Sequence, residues 1–118
     1  MKKEEEDITK ALSEYENLEK QLEVLILQKN QLALQTAETK NALEELKGAT
    51  GDVYRSIGSL VIKTTKEEAE KSLKEKLELM EIKQKTIVKE EEKLRKILLE
   101  LQERLKEKMK EYETEKSS

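Results

Sequence analysis

The amino-acid sequence predicts a mostly α-helical fold: a long antiparallel two-helix coiled coil with a single β-hairpin at the bend. Three observations carry this expectation. Of 118 residues, 43% are charged and only 35% apolar, too few apolar residues for a wide globular core. All three glycines, Gly48, Gly51 and Gly58, fall in one short middle stretch, and the chain has no proline. On either side of that stretch, apolar residues recur at alternating steps of three and four.

The first arm is expected to be helical from about residue 4 to 47. Its seam runs Ile8, Ala11, Tyr15, Leu18, Leu22, Leu25, and then Lys29, Leu32, Thr36, Thr39, Leu43, Leu46. The second arm, about 66–115, continues the pattern through Ala69, Leu73, Leu77, Met80, Gln84, Ile87. It ends with Glu91, Leu94, Leu98, Leu101, Leu105, Lys108 and Tyr112. A mean step of 3.5 residues marks a coiled-coil seam, which separates this charged chain from a disordered one. Glu-to-Lys spacings of four, such as Glu70/Lys74 and Glu81/Lys85, add local helix support. Two registers about one turn apart fit the pairing. One places Leu43 with Leu73, Leu25 with Glu91, Leu22 with Leu94 and Ile8 with Lys108; the other places Lys29 opposite Glu91 and Thr36 opposite Gln84. Lys29 is expected to reach Glu91 in either.

The bend holds the hairpin, about residues 52–64. Gly48 is expected to end the first helix in a left-handed conformation. Thr65-Lys-Glu-Glu68 has the spacing of a capping box and is expected to start the second helix. Between them, β-branched residues flank Gly58-Ser59, a two-residue turn. That turn pairs Ile57 with Leu60, Arg55 with Ile62 and Val53 with Thr64. A two-stranded hairpin is marginal alone in water, and its strand edges invite other chains. The expected outcome is oligomerisation through Val53, Tyr54, Ile57, Leu60, Val61 and Ile62, with hairpins from several copies closing a β-barrel. The plainer alternative folds the hairpin back on its own helices.

Composition also excludes function classes. Charge is nearly balanced, with 24 Lys plus Arg against 27 Asp plus Glu, and no basic block suggests nucleic acid or a membrane surface. No apolar run approaches a bilayer span, and the charged start does not read as a secretory signal. A cytoplasmic protein is expected. With no His and no Cys, and no pocket to separate carboxylate pKa values, the expectation is no enzyme, no metal site and no cofactor.

The stretch Val53-Tyr-Arg-Ser-Ile-Gly-Ser-Leu-Val-Ile-Lys-Thr-Thr-Lys-Glu-Glu-Ala69 resembles the hairpin-to-helix segment of the prefoldin β-type subunit, archaeal-like in character. The likeness extends through Leu73-Lys-Glu-Lys-Leu77, Glu90-Glu-Glu-Lys-Leu94, Gln28-Lys29 and Ala42-Leu-Glu-Glu-Leu46. A single hairpin implies the β-type chain, since α-type chains carry two. The resemblance implies an α2β4 hexamer with a prefoldin α-type subunit, in which a double β-barrel bears six coiled coils. It further implies an ATP-independent chaperone, a holdase that binds unfolded client proteins at the coiled-coil tips and delivers them to a group II chaperonin. Fraying of the terminal turns would then expose Ile8, Leu12, Tyr15, Met109 and Tyr112 to clients. The alternative is a structural coiled-coil scaffold or spacer that oligomerises through its hairpin.

Overall fold

The structure, a computed structural model, describes the backbone of residues 2–117 and the side chains of residues 3–115. Four elements follow in order: α1 (Lys2–Lys47), β1 (Val53–Ile57), β2 (Leu60–Thr64) and α2 (Lys66–Ser117). The chain divides into two compact units. A terminal unit combines Met1–Gln28 with Ile87–Ser118, and a central unit comprises Lys29–Thr86.

In both units the seam residues named from the 3-4 pattern are the ones shielded from solvent. Every one of them, from Ile8 to Leu46 and from Ala69 to Tyr112, is buried or half-buried. Leu25, Leu98, Leu101 and Leu105 form the buried spine of the terminal unit. Leu32, Thr39, Leu46 and Met80 do so in the central unit. Among the described residues no large side chain is completely shielded, as expected where two helices cover each other on one side only.

The central unit selects between the two registers. Thr36 Oγ1 lies 3.6 Å from Met80 Sδ, and Thr39 Oγ1 lies 3.8 Å from the same sulfur. Thr36 therefore meets Met80, as the register that pairs Leu43 with Leu73 requires. Each threonine hydroxyl donates its proton to a carbonyl one turn back, Leu32 and Gln35 respectively, both at 2.8 Å. Their polarity is thus satisfied within α1, and the flexible thioether fills the space that two short side chains leave.

At the bend, α1 stops at Lys47 without a left-handed residue. Gly48 was expected to supply one, but the positive φ among the glycines belongs to Gly58, at 59°. The Ala49 N–H instead donates to the Leu46 carbonyl at 3.2 Å, a tight right-handed turn that satisfies one orphan carbonyl of the helix end. Lys66 Nζ reaches across from the start of α2 and donates to the Lys47 carbonyl at 3.0 Å. A cation there also suits the negative end of the α1 dipole.

The N-terminus of α2 forms half of the expected capping box. The Glu68 N–H donates to Thr65 Oγ1 at 3.1 Å. The Glu68 carboxylate takes its proton donor one residue further out, from the Thr64 hydroxyl at 3.1 Å. On α2, Glu70 and Lys74 close to 2.9 Å, and Lys74 holds the Glu70 carboxyl below its usual range. That pair is largely solvated and adds little to stability.

Candidate functional site: an uncovered hairpin and an apolar helix end

β1 and β2 pair antiparallel with Ile57 opposite Leu60, Arg55 opposite Ile62 and Val53 opposite Thr64. Gly58 and Ser59 make the turn. With positive φ at Gly58 and at no described non-glycine residue, the turn is of type II′. Its twist matches the twist of the strands, which is why this turn closes two-residue hairpins. No atom lies within 4 Å of where a Cβ on Gly58 would stand. The backbone angle, not space, demands glycine there. Lys63 Nζ and Asp52 Oδ1 approach to 3.5 Å beside the open end of the ladder.

The hairpin side chains are uncovered on both faces. Val53, Ile57, Leu60 and Ile62 share one face, while Tyr54 and Val61 lie on the other. Tyr54, Leu60 and Val61 are 59%, 64% and 68% exposed, and the half-buried hairpin residues are Val53 and its partner Thr64 at the open end. The alternative in which the hairpin folds back as a cap would bury one of these faces, and neither is buried. Behind β1, a groove of about 600 Å³ runs between the strand and the adjoining helix ends. Its floor includes Ala42, Ala49, Ala69 and Ser72, residues small enough to leave the space open. An apolar ribbon with unpaired edges beside an open groove is the signature of an interaction surface.

The terminal unit holds the second set of expected site residues. Ile8, Tyr15 and Tyr112 are half-buried in the seam, whereas Leu12 and Met109 are exposed at 42% and 47%. The set thus divides into packing residues and surface residues. The Tyr112 hydroxyl donates to Glu5 Oε1, tying the end of α2 to the start of α1. That bond, with solvent shielding and the negative charges of Glu5 and Glu4, pushes the phenol above its usual pKa, so it stays a donor at neutral pH. A hydrogen bond with Glu115, together with solvent shielding and the Glu115 charge, pushes the Glu4 carboxyl upward.

One surface feature is not singled out by the seam pattern alone. Leu99 is 59% exposed and lines a groove of about 320 Å³ in the terminal unit with Tyr15, Leu22, Ile26 and Leu98. The signal for it lies in the positions next to the seam, where the sequence places apolar residues on one flank.

Among the described residues no cluster of His, Cys, Asp or Glu has the arrangement of a metal site. Among the same residues no helix is long and apolar enough to cross a membrane.

Comparison with known proteins matches this architecture. The model of a family described as "Prefoldin subunit" fits residues 9–112, which takes in the hairpin and both seams apart from Ile8. The chain belongs to the prefoldin family. Two relatives called prefoldin subunit beta illustrate the likeness. The protein of Thermococcus kodakarensis is 37% identical over 92 residues, covering 76% of this chain and 79% of the relative. That of Pyrococcus furiosus is 35% identical over 96 residues, covering 80% and 82%. The crystal structure of the prefoldin beta subunit from Thermococcus strain KS-1 superposes with a TM-score of 0.77 at 32% identity. It covers 86% of this chain and 90% of that one. Two long helices joined by one β-hairpin are therefore the prefoldin β-type fold, and the chain is a member of a chaperone family.

Proposed function

We propose that the chain works as the β-type subunit of a cytoplasmic prefoldin, an ATP-independent holdase. Its hairpin joins those of an α-type subunit and further β-type copies in a β-barrel, with α2β4 as the stoichiometry. The helix pairs bind unfolded proteins at the ends where α1 begins and α2 finishes and pass them to a group II chaperonin. No cofactor, metal or catalytic residue takes part. The observation that carries this reading is the two-faced exposure of the hairpin, with Tyr54, Leu60 and Val61 all above one half exposed, in a chain of this family. Such a ribbon needs partners to cover it. Once several copies are joined, weak apolar contacts at Leu12 and Met109 act together, and multivalency turns them into a useful grip.

The test mixes the chain with an α-type prefoldin subunit and follows light scattering of chemically denatured citrate synthase. Suppressed aggregation is expected without added nucleotide. Removing residues 1–12 together with 108–118 is expected to abolish suppression while the mass of the assembly changes only by the deleted segments. If the intact assembly suppresses nothing at several-fold molar excess, the chain is a structural spacer. If the truncated chain no longer assembles, the termini serve architecture and not clients.

A further inference from the structure

The two flanks of the terminal unit differ in chemistry. In an antiparallel pair, residues following the seam's second position on each helix share one side of the pair, and residues preceding the first position share the other. On the first flank α1 places Leu12, Glu19 and Ile26, and α2 places Val88, Arg95, Gln102 and Met109. On the second flank α1 places Asp7, Glu14, Gln21 and Gln28, and α2 places Glu90, Ile97, Arg104 and Glu111. Four of the first seven side chains are apolar; of the second eight, only Ile97 is.

Geometry places the open groove of this unit on the apolar flank. Glu19 and Ile26 of α1 and Arg95 and Gln102 of α2 all line it, together with the seam residues Tyr15, Leu22 and Leu98. The groove extends the surface of Leu12 and Met109 along the same flank, and Tyr15 belongs to both. Its rim carries Glu19 and Glu23 from α1. Arg95, the cation of the lining, has its Nε 2.9 Å from Glu91 Oε2, so its charge is already countered. What remains is an apolar trough with an acidic edge.

We propose that this one-sided groove is a second holding surface for nonnative polypeptide, selective for segments whose apolar side chains are flanked by Lys or Arg. The proposal rests on the reading of the chain as a holdase and names where, and for which client chemistry, the grip continues beyond the ends. Leucine or aromatic side chains of the client fill the trough over Leu22, Ile26 and Leu99. Client ammonium or guanidinium groups lie against Glu19 and Glu23. The opposite flank, being polar, stays wet, so each helix pair has one side that holds and one that does not.

The test uses the complete assembly with an α-type subunit and three fluorescein-labelled 16-residue peptides, of Leu and Lys, of Leu and Glu, and of Gly and Ser. Fluorescence anisotropy is expected to rank them Leu-Lys tightest, Leu-Glu weaker by about tenfold, and Gly-Ser without binding. Leu99→Glu, at an exposed position, is expected to weaken Leu-Lys binding several-fold, while Ile97→Glu on the opposite flank leaves it unchanged. Circular dichroism and mass check that both variants fold and assemble. Charge reversal by Glu19→Lys with Glu23→Lys leaves the packing alone and is expected to invert the peptide preference. Leu12→Glu with Met109→Glu separates this proposal from the reading beneath it. Loss of binding in that variant with Leu99→Glu unaffected overturns the groove and leaves holding at the ends intact. Loss in Leu99→Glu with the end variant unaffected supports the groove and overturns holding at the ends. No binding by the unmodified assembly overturns both, and equal affinity for the Leu-Lys and Leu-Glu peptides overturns the charge selectivity.

Discussion

Thr39 and Met80 meet across the central unit, with the threonine hydroxyl 3.8 Å from the thioether sulfur and both side chains at most 5% exposed. Because the hydroxyl proton is committed to the Gln35 carbonyl, the sulfur contact is one of packing. Met80→Ala is expected to destabilise the chain by about 2–4 kcal/mol, through a cavity that two threonines cannot fill. Met80→Leu preserves most of the volume and costs under ~1.5 kcal/mol. Chemical denaturation monitored by helicity checks both.

Assembly is expected to depend on the hairpin and not on the helices. Ile57 and Leu60 are 49% and 64% exposed on the hairpin, so Ile57→Asp with Leu60→Asp leaves the packing of the helix seams untouched. Helicity is expected to persist while light scattering reports single subunits. An unchanged mass would show that other surfaces join the copies.

The turn and the cap offer separate handles on the bend. Gly58→Ala forces a side chain into positive φ and is expected to cost roughly 1–3 kcal/mol of hairpin stability, read as weaker assembly. Thr65→Ala removes the acceptor of the Glu68 N–H and is expected to cost ~1 kcal/mol, read as fraying of the first turn of α2 by hydrogen exchange. The first variant acts on the oligomer and the second on the helix, so their readouts distinguish them.

The terminal unit is expected to tighten as pH falls. Glu4 is held above its ordinary carboxyl value in the folded chain, chiefly by its hydrogen bond with Glu115. A raised folded value means that the protonated form is favoured by folding. This contribution is therefore complete below the unfolded carboxyl value and is lost as pH rises through the folded one. Amide protection in the last turns of α2 is expected to increase from pH 7 to about pH 4, the carboxylate range. Glu4→Gln is expected to flatten that dependence, because an amide does not titrate.

The seam was fully legible in the sequence. Steps of three and four are a local property of a helix, and no tertiary information is needed to say which side of α1 holds Leu25 and Leu32. The hairpin pairing was equally plain, since Gly58-Ser59 set the register of both strands. Gly48 follows α1 without a left-handed backbone, because a helix can end in more than one way. The Leu46 carbonyl found the Ala49 N–H through a right-handed turn, which leaves the glycine without a conformational task.

By itself, then, the sequence determined the two helices, the turn between the strands and the stripe each helix turns inward, all from interactions spanning a few residues. Only tertiary structure decided that Met80 lies against Thr36 and Thr39, that Lys66 closes the end of α1, and that Glu19, Ile26, Arg95 and Gln102 share one groove. A shift of one helical turn preserves the seam pattern nearly as well. The choice is made by how side chains far apart in sequence fill the space between the helices, and periodicity carries no record of that.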